Sequence, residues 1–294
     1  MMGRMSFAVR THASVDEFLA AAGAFLGARE AEHNLLFGIA SWVRTSPELL
    51  TDGPATFATV TDADGRVVAA TLRTPPHNQV LSWIDELAAV DVLVDALRHE
   101  PLPGVLGPSE PAARFASRWT DATGQPARIE VAERIFRLTR VISPSRPAEG
   151  SWRFLEPRDR DLLARWVVAF STEAMPEAPP ITDPEAVADR WIARVGRVGY
   201  VWEDEDGEVV SMVGASGETP HGIRIGPVYT PPARRSRGYA SSLTAAASQD
   251  QLDRGRRFVF LFTDLANPTS NKIYQAIGYE AVCDVDMYRF GADA

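Results

Sequence analysis

The stretch Tyr229–Ala240, YTPPARRSRGYA, constrains this chain more than any other. The apolar run Ile223–Val228 before it reads as a strand, and Pro231-Pro232 ends that strand's ladder, because proline has no N–H to donate. Arg234, Arg235, Ser236, Arg237 and Gly238 then lead straight into a helical run, Tyr239 to Asp250. Strand, basic glycine turn and helix start together make an anion site. Glycine lets backbone approach a ligand closely, and the first helical turn leaves N–H groups unpaired at the positive end of the dipole. A pyrophosphate suits such a place.

Arg235-Ser236-Arg237-Gly238-Tyr239-Ala240 fits the pattern R/Q-x-x-G-x-G/A. About 30 residues on, Asn267, Ser270, Tyr274, Gly278 and Tyr279 fit N-x-x-S-x-x-x-Y-x-x-x-G-[FY], in a strand, loop, short helix and glycine stop. Each pattern is weak alone. In this order the pair resembles the GNAT-type N-acetyltransferase family, over roughly residues 151–290. The resemblance implies an α+β fold, a mixed and mostly antiparallel sheet flanked by helices, with two central strands splayed apart to admit acetyl-CoA. Here those strands are Ile223–Thr230 and Phe258–Thr263, and Pro227 fits a bulge in the first. Many members carry glycine where this chain has Ser236, whose backbone N–H remains available to a phosphate.

The resemblance also implies roles. Backbone groups of Val228, Tyr229 and Thr230 bond the pantetheine arm, and the N–H of Val228 or Tyr229 faces the thioester carbonyl. Backbone N–H groups of Arg235, Ser236, Arg237, Gly238, Tyr239 and Ala240 hold the pyrophosphate. Asn267 bonds pantetheine, caps the next helix ahead of Pro268, or does both. Tyr274 is the candidate general acid for the leaving thiolate. The general base is open. Glu173 in the loop Ser171–Glu177 is one candidate, His221 and Asp264 are others, and a water relay is a fourth. A non-catalytic acyl-CoA sensor or scaffold would use the same slot without turnover.

Composition narrows the class. The chain has 294 residues, 45% apolar and 23% charged, enough for two packed domains. Its net charge of −9 argues against nucleic acid as the main partner. No apolar run reaches ~18 residues, and the first residues lack a signal-peptide pattern, so a cytoplasmic protein is expected. The single cysteine, Cys283, excludes an intrachain disulfide and a cysteine metal cluster, and the five histidines have no ligand spacing. No metal is expected.

The chain reads as two copies of one layout. β-rich runs flank Asp64-Gly65 and again Asp206-Gly207, with the second aspartate 142 residues after the first. Thr74-Pro75-Pro76 echoes Thr230-Pro231-Pro232, and Gly124 echoes Gly278, which follows it by 154 residues. Helical spacing covers Val15–Ala28, Glu30–Trp42, Ala88–Leu97, Asp159–Phe170 and Pro184–Val195. The proline- and serine-rich stretch 143–150 reads as a linker, giving tandem domains at 1–142 and 151–294. The first copy has no arginine–glycine loop before Ala88 and no counterpart of Asn267 or Tyr274. It reads as a degenerate copy without the family's CoA site.

Overall fold

The computed structural model describes residues 6–50, 52–174 and 180–291. They form two compact units that do not follow chain order. The first gathers the described residues of Met1–Phe136, Phe262–Asn267 and Ala281–Ala294. The second gathers those of Arg137–Leu261 and Pro268–Glu280, so the stretch 143–150 lies inside it.

The first unit begins with strand β1 (Ala8–His12), helices α1 (Val15–Ala28) and α2 (Asn34–Thr45), and strands β2 (Thr56–Thr61) and β3 (Val67–Arg73). There follow β4 (Gln79–Leu81), α3 (Ala88–Leu97), β5 (Gly104–Pro108), α4 (Ser109–Thr123) and β6 (Ala127–Leu138), whose last residues enter the second unit. The second unit continues with β7 (Ser151–Phe154), α5 (Arg160–Ala174), α6 (Pro184–Ile192), β8 (Arg197–Glu203), β9 (Val209–Ser216) and β10 (Gly222–Tyr229). Helix α7 (Tyr239–Asp253), strand β11 (Phe258–Asp264), helix α8 (Pro268–Ala276) and strand β12 (Glu280–Phe290) close the chain.

Local chemistry explains most of these boundaries. Ser14 accepts the N–H of Glu17 at 3.2 Å and starts α1, while Asp183 accepts that of Ala186 at 2.9 Å and starts α6 at Pro184. The two hairpins share one turn: Asp62 Oδ1 accepts N–H groups of Asp64 and Arg66, and Asp204 Oδ1 those of Asp206 and Glu208. Gly65 and Gly207 follow at φ of 80° and 78°. The acidic run Glu203–Glu208 is therefore a hairpin turn. Helix α2 starts at Asn34 rather than Glu30, because a turn intervenes in which His33 N–H bonds Arg29 O and the Asn34 amide bonds Ala31 O.

The repeat is visible in strand pairing. In the first unit β1, β2, β3 and β4 pair antiparallel in sequence and β4 pairs parallel with β5. In the second, β7 to β10 pair antiparallel in sequence and β10 pairs parallel with β11. The last strand of the chain, β12, belongs to the first unit, where it lies between β5 and β6. It pairs antiparallel with β5 from Val285↔Pro108 to Arg289↔Gly104. Phe290 at its end stacks on Trp119 at 5.2 Å and on Phe115 at 6.4 Å in the core. The second unit's core joins Leu163, Val167, Trp166 and Trp191 to Val201, Met212 and Tyr229.

Candidate active site

The site starts at a defect in β10. Opposite β9 the register steps from Ile225↔Ala215 to Val228↔Val213, so this strand carries one extra residue at Gly226-Pro227. Pro227 sits where the sequence places a bulge. Toward β11, β10 pairs only through Gly222, Ile223 and Arg224. Ile225–Tyr229 continue without a register partner there, which leaves backbone groups turned to an opening. N–H groups alternate in direction along an antiparallel strand, so either Val228 or Tyr229 points its N–H away from β9.

Side chains secure the end of this strand. Ser211 Oγ donates to Tyr229 O at 3.1 Å and lies 2.8 Å from Thr230 Oγ1, all buried. Arg235 Nε donates to Thr230 O at 2.9 Å, and its Nη2 bonds Glu173 Oε2 at 2.5 Å. Tyr229 OH donates to Glu173 Oε1 at 3.3 Å, and the Arg235 guanidinium lies 6.0 Å from the Tyr229 ring centre. Burial first, then the Glu173 charge, push the Tyr229 phenol above its ordinary value. Glu173, Tyr229 and Arg235 are separate candidates in the sequence, and the structure makes them one cluster. Glu173 stands one residue before the end of α5, and Met175, Pro176 and Glu177 lie outside the described residues.

After Pro231 a short 3-10 turn, Pro232–Arg234, leads to two left-handed residues, Ser236 at φ 62° and Gly238 at φ 82°. The first is a conformation that glycine adopts freely and serine rarely does. Gly238 is the N-cap of α7, and no side chain caps that helix. Its first N–H groups therefore remain for a ligand. Arg234 is tied to Asp204 at 3.2 Å and Arg235 to Glu173, whereas Arg237 is exposed and has no ion pair among the described residues. Tyr239 is buried and Ala240 half-buried just inside the helix. The stretch 143–150 runs beside this helix start. Ala148 N–H donates to Ser242 Oγ at 2.8 Å, and Arg146 O lies 3.7 Å from where a Gly238 Cβ would stand.

Tyr274 is buried on α8, with its ring 6.0 Å from that of Tyr279. The Tyr279 hydroxyl lies 2.9 Å from Ser248 Oγ on α7, so α8 is fastened to the inner face of the helix that follows the glycine turn. The Tyr274 hydroxyl has no hydrogen-bond partner among the described residues, and burial alone pushes its pKa up to about 12. Asn267 stands exposed immediately before α8, its N–H donating to Asp264 O at 3.0 Å. Asp264 is itself turned into that loop, accepting the N–H of Ala266 at 2.7 Å. His221 precedes β10, about 23 Å of extended strand from Val228, and is not brought to the opening. No cluster of three or more His, Cys, Asp or Glu suits a metal ion among the described residues.

The corresponding place in the first unit is shut. A Cβ on Gly107 would stand 2.8 Å from Leu81 Cβ, so β4 and β5 stay together beyond their paired residues. Helix α3 starts after Leu87, which is in helical conformation, and no glycine turn precedes it.

Residues 163–279 match the family model of the acetyltransferase (GNAT) family. This stretch is a GNAT acetyltransferase domain. The chemistry of that family is acyl transfer from acyl-CoA, and the bulged strand, glycine turn and Tyr274 all lie within the matched residues. Solved structures share the fold along nearly the whole chain. A Drosophila protein aligns with a TM-score of 0.69 at 16% identity, over 98% of this chain and 100% of its own. A tandem GNAT protein from the clavulanic acid biosynthesis pathway, solved without AcCoA, gives 0.58 at 14%, over 98% of each chain. A GCN5-related N-acetyltransferase from Sphaerobacter thermophilus gives 0.57 at 19%, over 96% of this chain and 95% of its own. Both copies thus have the expected GNAT fold in tandem. No curated protein matches the sequence. Among the described residues no helix is long and apolar enough to cross a membrane.

Proposed function

We propose that this protein transfers the acetyl group of acetyl-CoA to an amine of a small molecule, in the C-terminal GNAT domain, and that the first copy binds no CoA. The observation that carries the reading is the opening after the β10 bulge, followed at once by the uncapped N-terminus of α7. A thioester has two ends to hold. Backbone of Val228, Tyr229 and Thr230 would take the pantetheine arm as an added strand, and the turn from Arg235 through Ser236, Arg237, Gly238 and Tyr239 to Ala240 would take the pyrophosphate. Asn267 would bond the pantetheine arm from the start of α8.

The amine nitrogen attacks the acetyl carbonyl carbon, and the oxyanion meets the free N–H of Val228 or Tyr229. The C–S bond then breaks, and the thiolate takes the proton of the Tyr274 hydroxyl. Burial makes the phenol a weak acid, and it raises the basicity of a thiolate released beside it in the same way. Glu173 would accept the amine proton, directly or through water, and its bonds to Arg235 and Tyr229 support that reading by fixing the carboxylate. A hydroxyl at position 274 with no hydrogen-bond partner among the described residues favours turnover over a sensor, which has no thiolate to protonate.

The test is release of free thiol from acetyl-CoA across a panel of aminoglycosides, polyamines, amino acids and peptides. Acceptor-dependent release with a small amine supports the reading. Tight CoA binding with no release on any amine would favour the sensor.

A further inference from the structure

The second unit holds a cavity of about 330 Å³ at the far end of α7 from the glycine turn. Helix α7 has 15 residues, so this cavity lies roughly 22 Å along the helix from Gly238. Arg194, Arg197, Arg254 and Arg256 line it, with Glu218 as the one acid. Val198 and Ile223 give it an apolar wall.

Two of these arginines are neutralised. Arg254 bonds Asp250 at 2.6 Å, and Arg256 bonds Glu218. The other two have no acidic partner among the described residues. Arg194 gives one bond to Leu155 O at 3.0 Å and sits 4.6 Å from the Phe154 ring centre. Arg254 lies 5.3 Å from the same ring, so the two cations are within about 10 Å of each other. Arg197 is half-buried, its guanidinium 5.3 Å from the Trp191 ring centre. Burial, and after it the neighbouring Arg190, pull its guanidinium below the ordinary value. A guanidinium stays charged all the same, so the cavity carries excess positive charge in a chain of net charge −9. Arg194 is also one of two non-glycine residues at positive φ among the described residues, at 57°. Strained backbone of this kind collects at ligand sites. The negative end of the α7 dipole offsets part of the field, but the carbonyls of Asp250, Gln251 and Leu252 already accept backbone N–H groups.

We infer that this cavity binds a phosphorylated small molecule, with the phosphate held by Arg194 and Arg197 and the organic part against Val198 and Ile223. Planar guanidinium forks suit phosphate oxygens, and the volume suits a small ligand. The inference stands apart from the acetyl-transfer reading.

The full-length protein titrated with inorganic phosphate, at constant ionic strength and followed by amide NMR, tests it. The amides of Gly196, Val198 and Gly255 should shift with saturation below about 20 mM. Arg197→Gln should weaken that binding about tenfold or more, while shifts around Gly238 persist. Arg194→Gly is the safer variant, because glycine suits the left-handed backbone, and it should weaken binding as well. Cavity amides that stay still to about 20 mM phosphate would overturn the inference. So would equal shifts in wild type and both variants, the result of an adventitious ion only.

Discussion

At the scale of single residues, the catalytic claim rests on Tyr274. Phenylalanine at this position keeps the ring contact with Tyr279 and removes the hydroxyl. Tyr274→Phe should lower kcat by about 10²-fold, within the range of general acid catalysis, with little change in the KM for acetyl-CoA. A kcat within a few fold of wild type would leave water as the proton donor. The raised pKa adds a sign. A phenol held at about 12 stays protonated through neutral and mildly alkaline pH, so Tyr274 should cause no fall of kcat below about pH 11. Its stability effect runs the same way. The native phenol keeps its proton longer than the unfolded one, whose ordinary value is 10.0, so the stabilisation is full below pH 10 and is lost as pH rises toward 12. Glu173→Gln should also cut kcat by about 10²-fold if the carboxylate accepts the amine proton, and an unchanged kcat would leave a water relay. Both residues are visible in the sequence by motif or by loop position. Their setting is not, because Glu173 and Arg235 are 62 residues apart and a side-chain pair leaves no periodic signal.

At the scale of elements, the N-terminus of α7 decides donor binding. Gly238 at φ 82° has ordinary room for a Cβ, 3.7 Å from Arg146 O, but a non-glycine residue there is strained by about 1–2 kcal/mol. Gly238→Ala should show that strain in unfolding and keep measurable CoA affinity. Gly238→Glu adds a carboxylate facing the pyrophosphate, a repulsion of several kcal/mol in a partly desolvated site, and should abolish CoA binding with the fold intact. Calorimetric titration of both variants checks this; CoA affinity unchanged in a folded Gly238→Glu protein would move the phosphate site elsewhere. Elements of this kind are the most legible part of the fold. Spacing marks α1 and α3 at their observed ends, since both bury one clear stripe. It undersells β6 and β12, which run for 12 and 11 residues. Charged residues such as Glu130, Arg134, Asp284 and Asp286 break their apolar alternation, and Arg134 and Asp284 are in fact bonded to each other at 2.6 Å.

At the scale of the whole molecule, the sequence shows a repeat but not which strands complete which unit. Sheet membership depends on ladders between distant segments, and chain order does not fix it. Chain order suggests fragments 1–142 and 151–294, and the structure indicates that neither is self-sufficient. Fragment 1–142 keeps β5 but loses β12, whose Phe290 stacks on Phe115 and Trp119. Removing a buried phenylalanine alone costs about 3–5 kcal/mol, a large part of the 5–15 kcal/mol that usually holds a domain. Fragment 151–294 keeps β12 without β5 and loses three bonds within its own unit. These are Ala148 N–H to Ser242, the Trp202 indole to Glu149 O at 2.8 Å, and Ile142 N–H to Ile277 O at 2.9 Å. Each fragment alone should therefore melt without a cooperative transition. Fragments 1–150 and 151–294 produced together should recover one, along with CoA binding, because all of these ladders and bonds are then present. Circular dichroism melts and CoA titration of the separate and joined fragments measure this. A cooperative melt of 1–142 alone, near the temperature of the full chain, would mean that β12 is dispensable to the first unit and that Phe290 adds little to the core of Phe115 and Trp119.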